Sequence, residues 1–140
     1  MASISSFMIS ESSQNIPAPN GHGNIIQQII GPTIVLRPQY IPGNFSFSVF
    51  IGVCDLNLKE RNTMQLILKT PQGELLEDLG TNDLPVFDKE DCLPQKYSGF
   101  VVGLDLRNIN VAQEGCYKLE VFINGSQIGA KDIPIYRRMM

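Results

Sequence analysis

The sequence predicts an all-β fold, an antiparallel sandwich of two sheets built from about seven to nine short strands. Three observations carry that expectation. Apolar residues recur at every second position in run after run, the period of a half-buried strand. Proline, glycine and asparagine separate the runs with recognisable turn chemistry. No segment of ten or more residues has the 3.6-residue spacing of an amphipathic helix.

In chain order, residues 3–9 form the first expected strand. A polar stretch from Ser10 to Asn24 follows, with Pro17, Pro19, Gly21 and Gly23. Ile25, Ile26, Ile29 and Ile30 have a spacing that also suits a short helix, but β-branching favours a strand. Gly31-Pro32 should end it, and residues 33–37 should begin another, closed by Pro38 and Pro42-Gly43. From Asn44 to Ile51, Phe45, Phe47, Val49 and Ile51 share one face. From Asn62 to Lys69, Met64, Leu66 and Leu68 do the same. Thr70-Pro71-Gln72-Gly73 suits a type I turn, after which residues 74–79 return as the second arm of a hairpin.

The run from Tyr97 to Arg107 places Phe100, Val102, Leu104 and Leu106 on one side. The run from Cys116 to Ile123 aligns Tyr117, Leu119, Val121 and Ile123. It ends in Asn124-Gly125, the pair best suited to the two positive φ angles of a type I′ hairpin turn. The last strand, residues 127–136, starts with Ile128 and Ala130 inward and changes phase to Ile133 and Ile135. This predicts a bulge near Lys131-Asp132, and Pro134 predicts a sheet edge.

The 140 residues suit one domain spanning 1–140, with a less regular N-terminal segment over 1–43. The chain is 43% hydrophobic, enough for a core without metal or disulfide support. Eleven basic and fourteen acidic residues give a net charge of −3, which argues against non-specific nucleic-acid binding. The basic cluster Arg137-Arg138, with Lys131 nearby, lacks interleaved aromatics and reads as a solvated tail. Three cysteines without a Cys-x-x-Cys pair encode neither a disulfide framework nor a zinc ribbon. The first residues lack a signal-peptide pattern and no apolar run reaches bilayer length, so the expected compartment is cytoplasmic, without membrane contact.

The stretch from Glu114 to Gly125 resembles the late-strand signature of immunoglobulin-like sandwiches. In that family a Gly-x-Tyr places a tyrosine at a corner, its hydroxyl bonded to upstream backbone, and Gly115 and Tyr117 occupy the matching positions. The resemblance implies an immunoglobulin-like plan and says nothing of function. Leu119 replaces the cysteine of antibody-type domains, and the chain has no tryptophan, which sets that subgroup aside. The chain as a whole also resembles small bacterial or phage-encoded sandwich proteins.

Candidate chemistry is sparse, and no catalytic residue or cofactor is expected. Cys92 follows Asp88, Glu90 and Asp91, whose charge disfavours a thiolate. Cys54 and Cys116 read as packing residues. His22, the one imidazole, lies between glycines. Asp83, Asp88, Glu90 and Asp91 cluster between Gly80 and Lys96, where a calcium- or carbohydrate-binding module would hold its ligand. Their spacing matches no ordered calcium loop, and solvated loop charges explain them as well. No glycine loop of a phosphate-binding type is present.

The remaining signal is apolar residues on the polar side of several strands: Phe50, Ile67, Val101 and Phe122. Gathered on one sheet they would form a partner-binding patch; otherwise the N-terminal segment covers them or they stand singly. The expected function is therefore a non-enzymatic binding or assembly module, acting on a protein partner or by homo-oligomerisation. The residue 80–96 loop would add specificity, or its Leu84, Val86, Phe87 and Leu93 would cap the sandwich. A phage or mobile-element inhibitor of a host defence enzyme is a second expectation within the binding class.

Overall fold

A computed structural model of the chain describes residues 2–17, 25–86 and 93–139. The alternating runs become eight strands: β1 (Ser3–Pro17), β2 (Ile25–Thr33), β3 (Gly43–Cys54), β4 (Thr63–Lys69), β5 (Leu75–Asp83), β6 (Phe100–Val111), β7 (Gly115–Ile123) and β8 (Ser126–Ile135). They form two four-stranded antiparallel sheets, ordered β2-β1-β3-β6 and β5-β4-β7-β8. The protein is an all-β two-sheet sandwich. A single 3-10 turn, Gln95–Tyr97, is its one helical element among the described residues.

The core is the set of side chains that period-two spacing sends inward. Phe47, Val49, Ile51 and Val53 of β3 and Met64, Leu66 and Leu68 of β4 meet Tyr117, Leu119, Val121 and Ile123 of β7. Ile133 and Ile135 of β8 complete that layer. Tyr117 is fully buried, and its hydroxyl donates to the Gln113 carbonyl at 2.8 Å, so the corner geometry implied by Gly115-x-Tyr117 is present. Turn chemistry also holds. The Gly73 N–H donates to the Thr70 carbonyl at 2.9 Å, and Asn124 and Gly125 take φ of 51° and 81°.

The N-terminal third departs from the expectation. β1 continues past Ile9 to Pro17, because a ladder needs only backbone groups and β2 supplies them; Ile16 pairs with Ile26. β2 passes through Gly31-Pro32 to Thr33, with Pro32 opposite Ser10. The strand expected over residues 33–37 reduces to one parallel bridge, Leu36 to Ile135. There the Leu36 N–H donates to the Pro134 carbonyl and the Tyr136 N–H to the Leu36 carbonyl, at 2.9 and 3.0 Å. Leu36 is buried, so the chain crosses from one sheet to the other at this residue.

Two later expectations also shift. The bulge of β8 lies at Ile128, three residues before the expected place: Val121 pairs with Gly129 and Phe122 with Gln127. Gly129 therefore faces Ile4 of the other sheet, which leaves a Cβ too little space there, and Ala130 turns out to solvent. Tyr97 belongs to the 3-10 turn, and β6 begins at Phe100.

Candidate functional site

β1 is shared between two pairings. Its first half, Ser3 to Ser10, pairs with β3, and its second half, Ile9 to Pro17, pairs with β2. The second half and β2 thus form a two-stranded arm beyond the body of the sheet. The Ser13 hydroxyl donates to an Asp105 carboxylate oxygen at 2.9 Å. β3 lies between β1 and β6, so Ser13 reaches Asp105 only if the arm passes over the outward face of β3. Gly103, opposite Phe50, makes room for it: a Cβ at Gly103 would overlap the Gln27 side-chain amide.

Asp105 is the polar anchor of this crossing. It accepts from Ser48 of β3 as well as from Ser13 of β1. The Ser48 hydrogen bond holds its carboxyl below the usual carboxylate range, against a smaller opposing effect of burial; Ser13 and the Arg107 charge add to the lowering. Ser10, opposite Ser48, is fully buried and donates to the Ser12 carbonyl at 3.0 Å where the arm departs.

The four residues expected as a patch are not brought together. Phe50 is 6% exposed and stands apart from the core between the sheets, on the face the arm crosses. Val101 is 70% exposed on the same sheet. Ile67 and Phe122 lie on the outward face of the other sheet, half-buried and diagonal to each other, since Gln65 pairs with Phe122. The Lys69–Glu120 pair at 3.1 Å and the Lys118–Asp132 pair lie beside them. The two outward faces of a sandwich point in opposite directions, so no one partner surface contains all four. The alternative weighed for Phe50, cover by the N-terminal segment, is the one that fits.

The carboxylate cluster is not assembled among the described residues. Asp83 takes the Arg61 guanidinium on both oxygens, at 3.1 to 3.4 Å. Asp88, Glu90, Asp91 and Cys92 lie outside the described residues, as do Phe87 and His22. Leu84 packs against the core, whereas Val86 and Leu93 are exposed. Leu66, Leu79, Leu84, Val102 and Leu104 line a groove of about 480 Å³ at the open side of the sandwich. Cys54 and Cys116 are free thiols, the first 3.2 Å from the Ser3 hydroxyl. Among the described residues no helix is long and apolar enough to cross a membrane.

The surface that sequence reasoning passed over is β2. Every residue from Ile25 to Pro32 is exposed, and Ile25, Ile26, Ile29 and Ile30 show 73, 41, 37 and 39% of their surface. The signal was present in the sequence. Isoleucines occur at both odd and even positions, so they cannot all face one core, and no charge interrupts them. The fold and this strand define a sandwich carrying an apolar edge. No family model matches the chain, and no curated protein matches it.

Proposed function

We propose that the protein is a non-enzymatic binding module of immunoglobulin-like plan that associates with a protein partner through its N-terminal arm. The observation that carries this reading is β2, a nine-residue sheet edge with four exposed isoleucines and no charged residue. Soluble proteins ordinarily blunt such an edge with charge, proline or a covering element, because its N–H and C=O groups accept another strand, and here Pro32 stands only near the strand's end, leaving Ile25 to Ile30 without charge or proline. The immunoglobulin-like part draws support from the Tyr117 corner and from strand grouping. With β2 set aside, β1-β3-β6 and β5-β4-β7-β8 correspond to A-B-E and C′-C-F-G. A reducing, cytoplasmic setting agrees with the free thiols of Cys54 and Cys116. A calcium-binding reading has less to rest on, since the Asp83 carboxylate already holds Arg61.

The test is association of the full chain with and without an altered edge. Ile26→Lys with Ile30→Lys leaves Ser13 and Asp105 untouched and places two charges on the arm's outward face. Affinity capture from the native host, with mass by light scattering, should show a bound protein or a second copy for the parent chain and neither for the variant. Unchanged capture and mass would refute the arm as the binding element.

A further inference from the structure

The four lateral edges of the sandwich are not alike. β5 carries Glu77, Asp78 and Asp83, and its register with β4 shifts at Gly80, where φ is 85°. β6 carries Asp105 and Arg107. β8 carries Lys131, Asp132 and Pro134, has a bulge at Ile128, and is met by Leu36 at its last residue. Charges and bulges of these kinds turn away an incoming strand. Only β2 among these edges is uncharged from end to end, and it is regular up to Gly31, where φ is 66°.

We infer that β2 pairs antiparallel with β2 of a second copy of this chain, in a register centred on Gln28, to give a symmetric dimer with one continuous sheet. This deepens the binding reading above and rests on it. A two-fold axis between antiparallel strands runs perpendicular to the sheet, so the central residue must face its own symmetry mate. Centring on Gln28 sets Ile26 opposite the partner copy's Ile30, Gln27 opposite its Ile29, and the mirror pairs likewise. The run Ile26-x-Gln28-x-Ile30 reads the same in both directions, so this register is self-complementary on the arm's outward face.

Three features favour a second copy over an unrelated strand. First, the Gln14 side-chain amide donates to the Gln28 side-chain carbonyl at 2.8 Å. The Gln28 amide N–H groups then continue toward the neighbouring Gln28, extending the row over four strands. Second, each isoleucine at the seam meets another isoleucine on that face, the favourable β-branched cross-strand pairing. Third, a strand without charge offers no electrostatic feature by which to select a charged peptide, whereas it meets no repulsion from itself. A register centred on Gln27 would instead set Ile26 opposite the partner copy's Gln28, which breaks both the isoleucine pairing and the glutamine row that Gln14 and Gln28 begin.

Cysteine cross-linking reads the register directly. Directly opposed residues have Cα atoms about 4.5–5.5 Å apart, within disulfide reach. With Cys54, Cys92 and Cys116 replaced by alanine, mild oxidation of Gln28→Cys should give a covalent dimer at high yield. Gln27→Cys and Ile26→Cys alone should give little, and Ile26→Cys with Ile30→Cys should restore it. In parallel, sedimentation of the parent chain should show a concentration-dependent dimer whose Kd rises about tenfold or more for Ile30→Lys, with the circular dichroism of the parent retained. A parent chain that stays monomeric, or cross-links best through Gln27→Cys, overturns the inference. A monomer whose captured host protein is still lost on Ile26→Lys overturns the dimer and leaves the binding reading standing.

Discussion

Ser13 and Asp105, ninety-two positions apart, share a hydrogen bond of 2.9 Å that fastens the β1–β2 arm to β6 across the intervening strand. Among the described residues the arm has few other polar ties to the sandwich body, so this contact should govern how often it lifts. Asp105→Asn or Ser13→Ala should cost about 1 kcal/mol, the ordinary worth of a partly solvated hydrogen bond. Amide hydrogen exchange checks this: protection over residues 10–17 and 25–33 should fall while that of β4, β7 and β8 is unchanged.

The same carboxylate sets a pH dependence. Asp105 has its folded pKa held below the usual carboxylate range, first by Ser48. A depressed folded pKa contributes stability above the unfolded pKa, and that contribution is lost as pH falls through the folded value. Arm protection should therefore hold at neutral pH and decline below the usual carboxylate range. Asp132 is also lowered, through its hydrogen bond to Lys118, but lies on the other sheet. Exchange measured at arm amides separates the two, and Asp105→Asn should flatten the arm's response.

Two glycines make opposite forecasts. At Gly99 a Cβ would overlap the Val53 carbonyl, which is fixed in β3. Gly99→Ala should destabilise the whole domain by about 1–3 kcal/mol or more, the range of overpacking. At Gly103 the clash is with the end of the flexible Gln27 side chain. Gly103→Ala should leave thermal unfolding nearly unchanged and raise exchange in the arm, and Gln27→Ala in the same chain should restore protection.

Asn62 is a buried polar residue whose amide donates to the Asn57 and Glu60 carbonyls, while its side-chain oxygen accepts from Asn124. Asn124 in turn accepts from the Thr63 N–H, so one side chain joins the start of β4 to the β7–β8 turn. Asn62→Ala leaves several of these groups without partners and should cost about 2–3 kcal/mol in chemical denaturation. Asn62→Asp should not restore stability, because a carboxylate cannot donate to the two carbonyls.

Tyr117 allows a cleaner dissection. Burial pushes its hydroxyl up from the ordinary tyrosine range, and the hydroxyl donates a hydrogen bond to the Gln113 carbonyl. Tyr117→Phe removes that hydrogen bond and should cost about 1 kcal/mol. Tyr117→Ala also opens a cavity and should cost about 3–5 kcal/mol. A phenylalanine variant as unstable as the alanine one would show that the bond, not the ring, holds the corner.

Alternation made the central strands legible. In β3, β4 and β7 one face is buried between the sheets, so Val49, Leu68 and Leu119 had to share a side with their alternate neighbours. The tyrosine corner and the Asn124-Gly125 turn were legible because each needs a particular residue at a particular place. The bulge at Ile128 was not, because the side chain that Gly129 then meets belongs to Ile4 of the other sheet, 125 residues earlier. Nor was the cover over Phe50: outward apolar residues look the same in sequence whether they meet solvent or a returning arm. The isoleucines of β2 signalled a strand, but only sheet order shows that nothing pairs with its far side among the described residues.

The seating of Leu36 beside Ile135 fixes the chain immediately after the arm, as the pairing of Ser10 with Ser48 fixes it immediately before. A protease that nicks the backbone between Glu11 and Thr33 would therefore release neither fragment. The cut protein should elute as one species under native conditions and separate into two only in detergent.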